Sequence, residues 1–129
     1  MKYMLMMNTM SARTTGLSGW SQSDVKAMVG YMIELDHQLR ASGELVYEEG
    51  LTFPNEAKLV RADHNGMPIV DTVFPETKEF LAGFWIVDVA DPERAYAIAA
   101  QISMCPGLGG APMHMPVEVR PVGSPPRVD

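Results

Sequence analysis

The chain has a single cysteine, Cys105. An intrachain disulfide is therefore excluded, and a reducing cytoplasm is the natural compartment. No run of Lys or Arg occurs, and the net charge is -6. Phosphate backbones and anionic membrane surfaces are held by concentrated positive charge, so direct binding to either is not expected. No apolar run approaches the roughly 18 residues of a membrane span. Residues 1–7 (MKYMLMM) are too short a run for a signal sequence. Polar residues follow at once with no Ala-x-Ala-like cleavage site, so a strand is expected there instead. Also missing are a Gly-x-Ser-x-Gly elbow, a Walker loop, a dinucleotide fingerprint and paired metal-ligand spacings. His37, His64, His114 and Cys105 fit no standard ligand pattern, and no metal or nucleotide cofactor is expected.

What is present suits one compact domain. The 129 residues are 47% hydrophobic, enough for a core without staples. The domain is expected over residues 1–122, with 123–129 as a tail or dimer arm. Residues 3–8 read as a strand, and residues 9–19 as a Ser/Thr/Gly-rich loop. Ser21-x-x-Asp24 marks a helix start. Val25, Met28, Val29, Met32, Leu35 and Leu39 follow at helical spacing, and Ser42-Gly43 suits the helix end. A strand begins at residues 45–47, and Glu48 onward is expected to break away from it. Apolar residues 57–62 and 67–72 flank Asp63-His64-Asn65-Gly66, a hairpin signal. Residues 80–89 read as a central strand, with Gly83 marking a bulge or a close backbone approach. Asp91-Pro92-Glu93 opens a second helix with Ala95, Tyr96, Ile98, Ala99 and Ile102 as its apolar stripe. Residues 116–122 alternate in polarity as a last strand.

The order is β-α-β, a hairpin excursion, then β-α-β. It predicts an α+β fold of the ferredoxin-like, split βαβ kind, with both helices on one face of an antiparallel sheet. The other face then needs a cover. A second copy of the chain can supply it, so a homodimer is expected.

Asp71 and Phe74, then Glu76-Thr77-Lys78-Glu79, then Gly83-Phe84, together resemble the YCII-related family in its DGPF-domain branch. Ser42-Gly43-Glu44-Leu45 with Glu49-Gly50-Leu51, and Glu118-Val119-Arg120-Pro121, extend the likeness from Lys2 to Val122. Two positions depart: Thr72-Val73 stands where the family has Gly-Pro, and Pro75 where Ala is usual. The resemblance implies a dimeric α/β barrel with a cleft between helices and sheet. It implies little about activity, although some relatives are associated with extracytoplasmic-function sigma factors.

The chemistry-bearing residues fall in three places. Asp71, Glu76, Lys78 and Glu79, with Phe74 among them, can form an acid/base or ligand-handling set, because a carboxylate partly buried beside a lysine takes a shifted pKa. They read equally as a turn cap and solvated loop charges. Asp36 and His37 lie on the first helix, Asp36 one turn beyond Met32 and so near the apolar face. They are a cleft acid/base pair or a helix-edge Asp with a surface His. Arg120 shares a strand face with Glu118 and either clamps a substrate carboxylate or forms a structural bridge. Cys105, at a helix C-terminus, is not expected to be a thiolate nucleophile.

Two functions remain open on this basis. The first is a small dimeric enzyme-like protein handling a small polar or anionic molecule, with Asp71, Lys78, Glu79, Asp36 and His37 as catalytic candidates and Phe74, Glu76 and Arg120 as ligand-binding candidates. The second is a non-catalytic ligand-binding or regulatory module. Where Asp36 and Asp71 sit separates them.

Overall fold

A computed structural model describes residues 1–9, 19–71 and 79–127. Eight principal elements run in the order β1 (Lys2–Thr9), α1 (Gln22–Ala41), β2 (Leu45–Gly50), β3 (Leu59–Ala62), β4 (Pro68–Asp71), β5 (Phe80–Asp88), α2 (Pro92–Ser103) and β6 (Val117–Pro121). Four strands form one open antiparallel sheet in the order β2-β5-β1-β6, and β3 and β4 form a separate hairpin. The strands on either side of each helix, β1 with β2 and β5 with β6, are never neighbours in this order, so each helical crossover spans an intervening strand.

The helix ends follow from their caps. Ser21 Oγ accepts from the Asp24 N–H while the Asp24 carboxylate accepts from the Ser21 N–H, a closed capping box. Asp91 accepts from the Arg94 N–H, and Pro92 takes the first helical position, where no N–H partner is needed. α1 ends at Ser42, and Gly43 takes φ +77, where a Cβ would be strained.

Both helices bury one stripe on the same sheet face. Leu35 and Leu39 from α1, and Ala95, Ile98 and Ile102 from α2, join Tyr3, Leu5, Trp85 and Val87 in a single core. Val117 and Val119 of β6 pack at its margin. Tyr96, expected in the α2 stripe, is 56% exposed instead. It follows Ala95 by one residue, about 100° around the helix axis, and that rotation carries it off the stripe.

The opposite sheet face carries Met4 and Met6 of β1 and Phe84 and Ile86 of β5, all half-buried. Tyr47 and Glu49 of β2, and Glu118 and Arg120 of β6, border them by register. Tyr47 and Phe84 meet with ring centroids 6.0 Å apart.

The register of β2 departs from simple alternation. Leu45 pairs with Val87, but Tyr47 pairs with Ile86, so Val46 is an extra residue in the ladder. Beyond it every side chain changes face. Glu48 thereby stands opposite Trp85 on the helix-covered face, and Tyr47 turns outward. β2 continues through Glu48, Glu49 and Gly50 rather than breaking off after Tyr47. The bulge makes this possible, since it spares Tyr47 and Glu49 from burial beneath α1.

The hairpin turn is held by Asp63, whose Oδ1 accepts from the N–H groups of Asn65 and Met67, with Gly66 at φ +81. Val60 faces Val70, and both are exposed. The last described residues, 122–127, are exposed and belong to no helix or strand.

Candidate functional site

Three rows of side chains cross the helix-covered face of the sheet. The deepest holds Leu45, Val87 and Tyr3, and the next holds Glu48, Trp85 and Leu5. In the third, Gly50 faces Gly83, which faces Met7. Two adjacent glycines leave the sheet bare at this point. Met28 and Met32 of α1 stand above it, and the space between is a cavity of about 360 Å³ with Glu48 on its wall. A shallower cleft of about 330 Å³ adjoins it along α1. Asp36, Ile33 and Val29 line that cleft, and Met28, Met32 and Glu48 are common to both.

Gly83 has a packing reason to be glycine. A Cβ there would lie 3.2 Å from the Glu49 carbonyl oxygen, so the close backbone approach expected at this position is present.

Asp36 and Glu48 line the same cleft where it joins the cavity, and each carboxyl shifts the acidity of the other. Two ionised carboxylates side by side repel, which favours a proton on one of them. Glu48 is the holder. Burial disfavours its charged form, the Asp36 carboxylate adds to the effect, and together they push Glu48 up to about 7. The Trp85 side chain, opposite Glu48 in the ladder, favours the charged form and works in the other direction. Asp36 moves the other way. The Glu48 carboxyl and then the Arg40 guanidinium hold it below the usual carboxylate range. Arg40 Nε donates to Oδ2 at 2.9 Å and to Oδ1 at 3.1 Å, one helical turn away. The Asp36 side chain is 20% exposed and that of Arg40 is 62% exposed, so the pair lies at the rim of the cleft. Two neighbouring carboxyl groups are thus driven apart in acidity. Glu48 can give up or take a proton near neutral pH, while Asp36 remains ionised.

The other candidate residues that the structure describes lie outside this cleft. His37 is exposed on α1. Asp71 is exposed at the end of β4, opposite Leu59 in the hairpin, and Glu79 is exposed just before β5. Glu79 borders a different cavity of about 450 Å³ at the base of the hairpin, with Leu51, Thr52, Pro54, Ala57, Phe80 and Leu81. Neither Asp71 nor Glu79 lines the Asp36–Glu48 cleft. Phe74, Glu76 and Lys78 lie outside the described residues. Arg120 is on the sheet face away from the helices, beside Met4, and its Nε is 3.9 Å from Glu118 Oε2. His37, His64, His114 and Cys105 form no common group among the described residues. The Cys105 thiol is buried and donates to the Met28 carbonyl at 3.9 Å, and burial pushes its pKa up.

The family model of the YCII-related domain matches residues 1–109. The chain belongs to the YCII-related domain family. Among the curated proteins no match is found. The matched stretch of this YCII-related chain contains α1, β2 and β5, and hence every residue of the Asp36–Glu48 cleft, while β6 lies beyond it. Of the cleft's two carboxyls, sequence reasoning reached Asp36 through its spacing from Met32 but missed Glu48. The signal was there in principle: Glu48-Glu49-Gly50 follows three strand-forming residues without a turn former until the glycine. The face of Glu48 depends on the bulge at Val46, which no local pattern announces.

Proposed function

We propose that this YCII-related protein is a small acid/base protein in which Glu48 exchanges a proton with a small molecule held in the Met-lined cavity, and Asp36 keeps Glu48 poised to do so. The observation that carries the reading is the Asp36 and Glu48 carboxyls lining one cleft, with Glu48 also on the wall of the apolar cavity and raised to about 7. A carboxyl group works best as acid or base when its pKa lies near the operating pH, and apolar surroundings with a second carboxylate are how that is arranged. The reaction class is proton transfer to or from a bound small molecule.

A DGPF-branch assignment draws support from Asp71, Phe74 and the Glu76 to Glu79 run in the sequence. A ferredoxin-like plan draws support from the strand order β2-β5-β1-β6 with both helices on one face. A homodimer built face to face draws support from the side of the sheet away from the helices, where Met4, Met6, Phe84 and Ile86 form an apolar strip with no helix over it among the described residues. Replacing Phe84 by Glu would turn such a dimer into a monomer by native mass spectrometry, and a wild-type monomer would remove the dimer from the proposal. A cytoplasmic setting suits a chain whose one cysteine is buried and reduced.

The acid/base reading is tested by following the Glu48 carboxyl resonance with pH in the wild type and in Asp36→Asn, alongside a metabolite thermal-shift screen. Titration near 7, lowered in Asp36→Asn, with a stabilising metabolite whose effect is lost in Glu48→Gln, is the expected result. Titration in the ordinary carboxylate range overturns it.

One observation favours a non-catalytic ligand-binding or regulatory module instead. Both Asp36 oxygens already accept from Arg40 on the same helix, so Asp36 can serve as a fixed charge at the rim that orients a ligand without proton transfer. A metabolite that binds equally well to wild type and to Glu48→Gln would support that second reading.

A further inference from the structure

Gly50 lines the cavity, yet neither its backbone nor its neighbours require glycine. Its φ is not positive. A Cβ built on it meets nothing within 4 Å, whereas one on the facing Gly83 would crowd the Glu49 carbonyl. A glycine inside a strand weakens it, because the unfolded chain loses more freedom on ordering and no side chain is gained to pack. By period two Gly50 lies on the same face as Glu48, so a side chain there would project from the cavity floor. Gly50 is exposed at the cavity mouth, so an added Cβ would enter open space on the cavity's side of the sheet.

The lining also restricts what can lie there. Above the bare glycine floor stand the flexible thioethers of Met28 and Met32, with Met7 at one side and the Trp85 ring beneath Glu48. These surfaces fit an apolar body and adapt to its outline. The polar groups at the cavity wall are acidic: Glu48 lines it, with Asp36 behind, and Glu49 is close by. No Lys, Arg or His is among the described residues lining it. Arg40 is committed to Asp36, and Arg120 is on the other face of the sheet. A carboxylate or phosphate entering here would meet acidic groups, with no cation among the described lining residues to offset the repulsion.

We infer that Gly50 sets the size of molecule the cavity admits, and that the occupant is a flat apolar body with a neutral or cationic hydrogen-bonding end rather than an anion. This rests on the reading of Asp36 and Glu48 as the polar end of the site, and it narrows the small polar or anionic ligand expected from the sequence. The apolar body lies over Gly50 and Gly83 beneath the methionines. Its amine or hydroxyl meets Glu48, which donates when protonated and accepts when ionised.

Three probes of one size carry the test: 2-phenylethylamine, 2-phenylethanol and phenylacetate, measured by saturation-transfer NMR and thermal shift at pH 7.5. The amine and the alcohol are expected to bind and phenylacetate is not. Gly50→Val should weaken both binders about tenfold or more, at an unchanged or higher melting temperature, and Gly50→Ala should weaken them less. Should the valine variant fail to fold, the alanine variant and Gly50→Ser decide the matter. Phenylacetate binding as tightly as the amine, no binding by any probe, or full binding to the Gly50 variants overturns the inference. Titration of the Glu48 carboxyl in the same samples separates the two readings. A Glu48 midpoint near 7 with probe binding indifferent to residue 50 removes the size gate and leaves the acid/base reading standing. An ordinary midpoint removes the acid/base reading itself.

Discussion

Glu44 and Glu48 are four residues apart on the same edge of the sheet, and their carboxyl groups are driven in opposite directions. Glu44 receives Nε and Nη2 of Arg94, each at 2.8 Å, and is held below the usual carboxylate range by that fork. Glu48 meets burial and a second carboxylate, and is pushed up to about 7. The first ties the start of β2 to the first turn of α2, and the second faces a cavity.

Breaking the fork should cost stability. Arg94→Ala leaves the Glu44 carboxylate, whose side chain is 18% exposed, without its charged donor. A loss of about 1–2 kcal/mol is expected by urea denaturation, at the low end for a charge-assisted pair because the Arg94 side chain is 41% exposed. Glu44 is depressed in the folded state, so its contribution is full above its ordinary value of 4.5 and disappears as pH falls through the folded value. Glu44→Gln should show a shallower acid limb than wild type.

Glu48 gives the opposite slope. The folded protein keeps this proton up to about pH 7, whereas the unfolded chain releases it near 4.5. Between those values the native state binds more protons, so stability falls as pH rises. Glu48→Gln has no such proton to lose. Its unfolding free energy should be flatter from about pH 4.5 to about pH 7, read from urea midpoints across that range. A wild-type slope that survives the substitution would mean that another group carries it.

The two facing glycines should separate cleanly in stability. At Gly83 a methyl group would lie 3.2 Å from the Glu49 carbonyl, and β2 must shift to admit it. Gly83→Ala is expected to destabilise by about 1–3 kcal/mol, the usual scale of overpacking. At Gly50 the methyl group enters open space, and Gly50→Ala should gain about 0.5–1 kcal/mol. Paired thermal melts decide this. Equal losses at both sites would mean that Gly50 is needed by the strand rather than by the cavity.

The capping box makes a third kind of prediction. Ser21→Ala removes the acceptor for the Asp24 N–H and should cost about 1 kcal/mol. The loss should appear as faster amide exchange in the first turn of α1, next to Met28 in the cavity roof.

Much of the fold was legible because local rules and tertiary packing agree. Ser21 and Asp24, Asp91 and Pro92, and Asn65-Gly66 each mark a boundary that the structure keeps. The apolar residues of 80–89 fill the strand between β2 and β1. The candidate site was half legible. Asp36 could be read because a helix has a fixed period, so distance from Met32 fixes its side. Glu48 could not, because a strand's faces are fixed only relative to a register, and one extra residue at Val46 exchanges them. Asp71 and Glu79 attracted attention by their density of charge. Charge density along a chain does not by itself show convergence in space, and Asp71 and Glu79 line neither cavity beside α1.

The strand order also has a consequence in time. β1, which precedes the other described strands in chain order, has β5 and β6 as its only ladder partners among the described residues. Both belong to the later part of the chain, so during synthesis β1 emerges with no neighbour to accept its hydrogen bonds. The helix α1 can form early from local contacts, but its apolar stripe has no sheet to cover until β5 arrives. Folding is therefore gated by the second half of the polypeptide, and a ribosome-stalled chain ending before residue 80 should expose β1 and α1 to chaperones rather than hold a native half.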